Sequence, residues 1–332
     1  MKSWKKRKAL CRILICLLAA GTMLVASTVS ADTDTKQKAE TKQTAESGAK
    51  KVEKEVKSET REQAGKKRDT IIKEAVSALE QTKNAIEALK KKDKKAALDA
   101  LAAVTGKLDI VIARDPKLAN APIDVRVETY DLIGTVDTIK KSVKIARDLL
   151  GDGEVQQARE ILSGMASEID FLVTSIPLAS YSAGIKDVAK LVDEEKYEEA
   201  TEALYELLST LVITKHVIPL PILRAEEMLK KAEELAAVEK RTEEQDKKID
   251  ELLADIKVQI EMAEALGYGD KKEYKKFYKQ IKEIKKKTDG GIFGKGDTDL
   301  LKNSLKKFKE KIFGKKDSDA ASNSDKKESD KK

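Results

Sequence analysis

The side chains able to do chemistry are few, and their spacing argues against the common kinds. The chain holds one histidine, His216, and two cysteines, Cys11 and Cys16. A Ser-His-Asp or Cys-His nucleophile needs a base beside it, and a tetrahedral zinc site needs several Cys or His ligands. Beyond residue 31 the sequence offers a single histidine and no cysteine, so it supplies neither. His216 reads as a structural side chain in an extended segment, with a charge able to change near pH ~6.5. Carboxylates are abundant. Asp193-Glu194-Glu195 reads as a solvated turn, and Glu198-Glu199 as the start of a helix, where the macrodipole favours negative charge. The loop Gly290-Gly291-Ile292-Phe293-Gly294-Lys295-Gly296 is one residue short of a phosphate loop, has Gly296 where a magnesium-binding hydroxyl should stand, and follows no strand. It reads as a hinge between helices. Nearby, Asp297 and Asp299 fit a helix cap better than a calcium loop, which needs a longer ladder of ligands and a terminal Glu. The expectation is a non-catalytic protein with no cofactor and no metal.

The N-terminus carries targeting information. Lys2, Lys5, Lys6, Arg7, Lys8 and Arg12 precede an apolar stretch from Ile13 to about Ala26, and Val29-Ser30-Ala31 precedes Asp32. That order of basic, apolar and small residues is a secretory signal, with cleavage expected between Ala31 and Asp32. The stretch is shorter than the roughly 17–25 residues needed to span a bilayer. Cys16 lies inside it with no small residue just before it, which argues against a lipoprotein. The expected location is the periplasm. Cleavage removes both cysteines and Trp4, so the mature protein is predicted to hold together by packing, without disulfides. It also removes six positive charges from a chain total of +7, leaving the mature chain near +1. A nucleic-acid role based on overall basicity therefore fails.

The elements that must position any site are helical. Residues 32–66 are built mainly from Ala, Glu, Lys, Thr, Gln and Ser and read as a mobile polar tail. From about residue 67, apolar residues recur at three and four, as in Ile72, Val76, Leu79, Ile86 and Leu89. The pattern predicts helices near 68–91, 94–114, 134–150, 154–176, 179–193, 196–213, 222–239, 242–266 and 298–313, with prolines at the boundaries. Three turns share one spacing: Leu89, Ala97 and Leu101; Leu150, Ala158 and Leu162; Val192, Ala200 and Leu204. A small residue on the second helix lets antiparallel helices approach, and the flanking apolar residues fill the seam. Ile123 to Val127 and Val212 to Leu220 read as extended and could pair as a two-stranded ribbon. The fold class is all-α, a bundle of antiparallel helical hairpins with room for that short ribbon.

Several of these positions also carry a resemblance. Ile176-Pro177-Leu178, Tyr181, Ile185, Ala189, Leu191, Lys196-Tyr197, Glu199-Ala200 and Leu204, followed by Ile218-Pro219-Leu220-Pro221, resemble the YfdX family of bacterial exported proteins. Pro122-Ile123-Asp124 adds to the likeness, which spans about residues 68–238. It implies a helical periplasmic protein of a family without an established biochemical function, linked loosely to acid and envelope stress. It supplies no catalytic residues.

Residues 241–316 lie largely outside that likeness and differ in charge. Residues 271–316 hold 17 Lys and six acidic residues, whereas 32–266 hold 39 basic and 47 acidic residues. Tyr274, Phe277, Tyr278, Ile281 and Ile284 share one helical face, and Leu301, Leu305, Phe308 and Ile312 share another. Ile292-Phe293-Gly294-Lys295 recurs as Ile312-Phe313-Gly314-Lys315. Either these stripes dock on the acidic body, or Tyr274, Phe277, Tyr278, Ile281, Phe308 and Phe313 face an anionic membrane surface or an acidic partner. Residues 317–332 read as a disordered tail. The functional expectation is a self-associating binding or stress-protective protein, chaperone-like in holding a client protein, a peptide or a small amphipathic molecule in apolar grooves between hairpins. The alternative is envelope attachment through the basic C-terminal helices.

Overall fold

A computed structural model describes residues 48–290, 293–294 and 296–325, and side-chain surroundings as far as Ile312. Helix α1 (Glu53–Arg68) comes first. Three helical hairpins follow, each leading into a strand. Helices α2 (Lys73–Lys90) and α3 (Lys94–Arg114) precede β1 (Asn120–Tyr130); α4 (Val136–Gly151) and α5 (Val155–Ser163) precede β2 (Glu168–Pro177); α6 (Leu178–Asp193) and α7 (Tyr197–Ser209) precede β3 (Val212–Pro219). Helices α8 (Leu220–Ala236), α9 (Glu243–Ala265), α10 (Lys271–Asp289) and α11 (Asp299–Asp325) come after the last strand.

The protein is thus mostly helical, with a three-stranded antiparallel sheet in the order β1-β2-β3. This corrects the two-stranded ribbon: Ile123–Val127 and Val212–Leu220 do not pair with each other, because β2 lies between them. It also corrects the helix expected over 154–176, which stops at Ser163. After Gly164 the period changes from 3.6 to 2. Ile169, Phe171 and Val173 face one side and Asp170, Leu172 and Thr174 the other, a pattern only a strand can sort into two faces. A third correction concerns the polar tail assigned to 32–66. Residues 53–66 lie in α1, and Val52, Val56 and Ala64, spaced four and eight apart, are buried.

Two identical junctions join sheet to helices. Ile176-Pro177-Leu178 ends β2 and opens α6; Ile218-Pro219-Leu220 ends β3 and opens α8. Proline terminates each strand, since it cannot donate to the ladder, and its fixed φ suits the approach to a helix. The first helical N–H of each, Leu178 and Leu220, donates to Ala119 O at 3.0 Å and Ser167 O at 2.9 Å. Pro177 and Pro219 are therefore corners of the fold, whereas Pro122, expected at a helix boundary, lies inside β1.

Two cores flank this frame. One gathers α2, α3, α6 and α7 around Tyr181, Leu89, Leu101, Val192, Ala200 and Leu204, with Ala121 and Ile123 of β1 and Ile176 of β2. The other joins Ile169 and Phe171 of β2 and Ile218 of β3 to α1, α8, α9, α10 and α11. The first and third seams are closed as expected. The second is not: Ala158 is buried, but Leu150 and Leu162 are 48% and 43% exposed. The hairpin α4–α5 repeats the local pattern but belongs to neither of these two cores.

Candidate functional site

A well-formed concavity lies beside α1. It has a volume of about 630 Å³, within the ~300–1,000 Å³ typical of small-ligand sites. Its apolar lining comes from Val56, Ile169, Leu220 and Met262, contributed by α1, β2, α8 and α9. One wall is the β1–α4 connection, residues 131–134, which carries Ile133, 82% exposed at the rim. The other wall is Lys50, just before α1, and the outer face of α1, with Glu53, Lys57, Thr60 and Arg61.

Packing and charge fix α1 in this place. Val52 and Val56 are buried, and Lys51 pairs with buried Asp255 of α9 at 3.1 Å. Burial pushes the Asp255 carboxyl above its ordinary range, while Lys51 pulls it back. Lys231 of α8 reaches Glu55 at 3.0 Å and also donates to the Lys51 carbonyl. Gly48 sits so close to Asp255 that a Cβ there would lie 2.8 Å from its carboxyl carbon, so the segment leading into α1 approaches α9 without a side chain between them. The floor has its own clamp. Arg224 of α8 forks onto Asp131, with Nη1 donating at 3.1 Å and Nη2 at 2.6 Å, which positions the β1–α4 connection over the groove.

The groove's charge is uneven. Lys50, Lys57, Arg61 and Arg224 face Glu53 and Asp131, an excess of two positive charges around an apolar floor. Glu53 is held below the usual carboxylate range by its hydrogen bond to Lys57, with a smaller pull from Arg224. Such a site suits an apolar body carrying an anionic end.

A second polar cluster lies on the sheet. Lys215 of β3 donates to Glu168 Oε1 at 2.8 Å and pairs with Asp170 Oδ2 at 2.5 Å. Tyr268 donates to Glu168 Oε2 at 2.9 Å and accepts the Ser167 N–H at 3.1 Å. Burial opposes ionisation of both carboxyls. At Glu168 the hydrogen bonds from Lys215 and Tyr268 outweigh it and hold the group low; at Asp170 burial and the charge of Glu168 prevail and push it up. Neither carboxyl lines the groove, and the cluster ties β2, β3 and the α9–α10 turn together. His216 is buried in β3, opposite Phe171.

The C-terminal stripes are packed inward. Tyr274, Phe277 and Phe308 form a triangle of edge-to-face rings with centroids 5.4–5.8 Å apart. All three are buried, as is Ile281, and Tyr278 is half-buried against the same core. The exposed contact surface expected from Tyr274, Phe277, Tyr278, Ile281 and Phe308 is therefore corrected: docking on the body takes those faces. The side chain of Phe313 and the cleavage residues Ala31 and Asp32 lie outside the described residues. Among the described residues no cluster of His, Cys, Asp and Glu suits a metal ion, and no helix is long and apolar enough to cross a membrane.

Sequence reasoning missed the groove. Lys57 and Arg61 share the outer face of a helix that the composition hid, and Arg224 meets Asp131 across 93 residues. Only the four- and eight-residue spacing of Val52, Val56 and Ala64 pointed to α1.

These features define a class: helical hairpins alternating with strands of a small antiparallel sheet, with a groove beside the N-terminal helix. Residues 78–217 match the family model described as YfdX protein, so a YfdX domain occupies that stretch, from α2 through most of β3. Among solved structures the chain is similar to one of YfdX from Salmonella Typhi. The identity is 15%, the match covers 45% of this chain and 93% of that one, and the TM-score is 0.31. No curated protein matches.

Proposed function

We propose that this is an exported, non-catalytic binding protein of the envelope, whose groove beside α1 holds an anionic amphiphile: a fatty-acid-like molecule or the carboxylate-bearing end of an apolar peptide. The observation that carries the reading is the groove itself, an apolar floor of Val56, Ile169, Leu220 and Met262 under a rim with an excess of cations. An apolar tail gains by leaving water, and its carboxylate meets Arg61 at the mouth. The groove replaces the expected site between hairpin seams, because the first and third seams are closed by packed leucine, valine and alanine. Attachment to a membrane through inserted aromatics loses its support, since those rings are in the core.

The test is titration of the mature protein with medium-chain saturated fatty acids and with the alcohols of equal length, read by melting temperature. Ligand at a hundredfold excess over Kd stabilises the fold by about 2.7 kcal/mol, a shift that is easily read. Acids are expected to stabilise more than alcohols. Thr60→Trp, which fills the groove from the half-buried face of α1, is expected to abolish the shift. The reading fails if no amphiphile shifts the melting, or if Thr60→Trp leaves the shift intact.

A further inference from the structure

Helix α10 presents nine lysines to solvent, at positions 271, 272, 275, 276, 279, 282, 285, 286 and 287. Part of the lysine charge in the C-terminal region is neutralised within the fold. Lys287 pairs with Asp297, and Lys279 lies 3.9 Å from Glu283. On α11, Lys302 pairs with Glu233 at 3.0 Å, Lys309 with Glu226 at 2.6 Å, and Lys311 with Asp270 and Glu273 at 2.8 and 3.1 Å. Lys271, Lys272, Lys275 and Lys276 in the first half of α10 and Lys282, Lys285 and Lys286 in the second half differ. Among the described residues no carboxylate oxygen comes within 4.0 Å of their ammonium groups.

Of these, Lys282, Lys285 and Lys286 enclose a space. With Lys257 of α9 opposite, they border a cavity of about 490 Å³ whose apolar lining is Tyr278 and Ile281. Among the described residues the only acidic one on its border is Asp289, and Lys257 keeps a loose 3.6 Å contact with Glu261. Solvated lysines on a convex helix repel one another into water. Here four converge across a concavity with a low-dielectric wall, which concentrates their field where a ligand would sit. The Tyr278 hydroxyl donates to Glu264 at 2.6 Å, so the ring offers an apolar surface and no free donor to the cavity.

We infer that Lys257, Lys282, Lys285 and Lys286 form a binding site for a ligand bearing two or more phosphates. Lysine ammonium groups act as point charges on phosphate and impose little geometry, so the site selects by charge density and by an organic body that fits against Tyr278 and Ile281. It shares no lining residue with the groove beside α1, and it stands or falls independently of the amphiphile reading. A clustered headgroup of anionic phospholipid and a free polyphosphate present the same chemistry, and the experiment separates them.

Mature protein is titrated at low salt with sodium tripolyphosphate, and in parallel is floated with vesicles of phosphatidylglycerol in phosphatidylcholine against phosphatidylcholine alone. Two triple glutamine variants and one triple arginine variant are compared. Lys282→Gln/Lys285→Gln/Lys286→Gln empties the cavity border, and Lys271→Gln/Lys275→Gln/Lys276→Gln removes equal charge from the same helix outside it. The cavity variant is expected to bind about tenfold or more weakly, because each lost charge-assisted contact is large on the scale of a tenfold change. The control variant should stay within about threefold of the parent, the scale of screened surface charge. Lys282→Arg/Lys285→Arg/Lys286→Arg should retain binding, which separates a lost charge from a disturbed helix. Tripolyphosphate binding without vesicle binding assigns the site to a free polyphosphate. Vesicle binding that follows the same ranking of variants assigns it to a lipid headgroup. Equal weakening by the two glutamine variants, or no binding of either probe, overturns the inference.

Discussion

Glu226 and Lys309 show what one buried charge pair does here. Glu226 sits on α8 with its side chain 9% exposed, and Lys309 of α11 meets it at 2.6 Å. Burial pushes the Glu226 carboxyl up, and Lys309 draws it back. Lys309→Met leaves the carboxylate buried without its cation and should destabilise the fold by about 3 kcal/mol at neutral pH; adding Glu226→Gln should recover most of that. The loss should depend on pH. An unfolded glutamate titrates near ~4.3, and in the variant the folded pKa lies well above that. The penalty is fully present above the folded pKa and disappears as pH falls through it, so the deficit in urea melts should shrink from neutral pH toward mild acid. A deficit that grows on acidification would contradict the burial argument. At Gly269 the backbone φ is +72°, and a Cβ would fall 2.2 Å from the Phe308 ring. Gly269→Ala should therefore cost about 2–4 kcal/mol, from left-handed strain and a displaced ring together, measured by the same melts. None of these pairings was legible in the sequence. With 125 charged residues in the chain, 66 basic and 59 acidic, nothing marks which carboxylate will be buried, or beside which lysine.

Helical seams were legible because their signal is local. The spacing of eight and four that joins Leu89 to Ala97 and Leu101, and Val192 to Ala200 and Leu204, needs only two neighbouring helices, and all six side chains are buried. The same spacing in α4–α5 gives a hairpin too, yet Leu150 and Leu162 stay about half exposed. A local pattern fixes the pairing of two helices; it says nothing of whether a third surface covers them. Leu89→Ala and Leu204→Ala should each cost about 2–5 kcal/mol as core cavities. Leu150→Ala and Leu162→Ala should cost under about 1 kcal/mol, and equal losses in denaturant melts across the four would place α4–α5 in the core. Strand β2 was misread for a related reason. Its ten residues follow nine helical ones across a short break at Gly164, and a run of Ile, Phe, Leu and Val suits a buried helix or a strand until the alternation with Asp170 and Thr174 is counted. Helix α1 was hidden by composition: its mean polarity is that of a tail, and Val56 and Ala64, with Val52 just before the helix, are enough to join it to the core it shares with α8 and the sheet.

At the scale of the molecule, the acidic body and the basic C-terminal region are opposed in sequence and joined in the fold. The charge asymmetry was visible in the residue counts, and it allowed docking on the body as readily as contact with an anionic surface. The contact between the acidic body and the C-terminal region is apolar. Tyr274, Phe277, Phe293, Leu301, Leu305 and Phe308 enter the same core as Phe171, Ile218 and Leu229, so α10 and α11 cover sheet residues that the matched YfdX stretch cannot cover alone. Burying each such ring or leucine is worth roughly 1.5–3 kcal/mol, more together than the few exposed ion pairs can supply. A chain ended at Gly269 should accordingly lose cooperativity, melt well below the full protein and bind a hydrophobic dye such as ANS, because β3, α8 and α9 lose their cover. It should also associate through that uncovered surface, so its flotation with vesicles would report exposed core as readily as any membrane affinity. This is why the lysine variants, and not truncation, are the fair test of the basic face. Should the shortened chain melt like the full one and leave the dye dark, the aromatic triangle would be an appendage, and the two-core architecture would have to be given up.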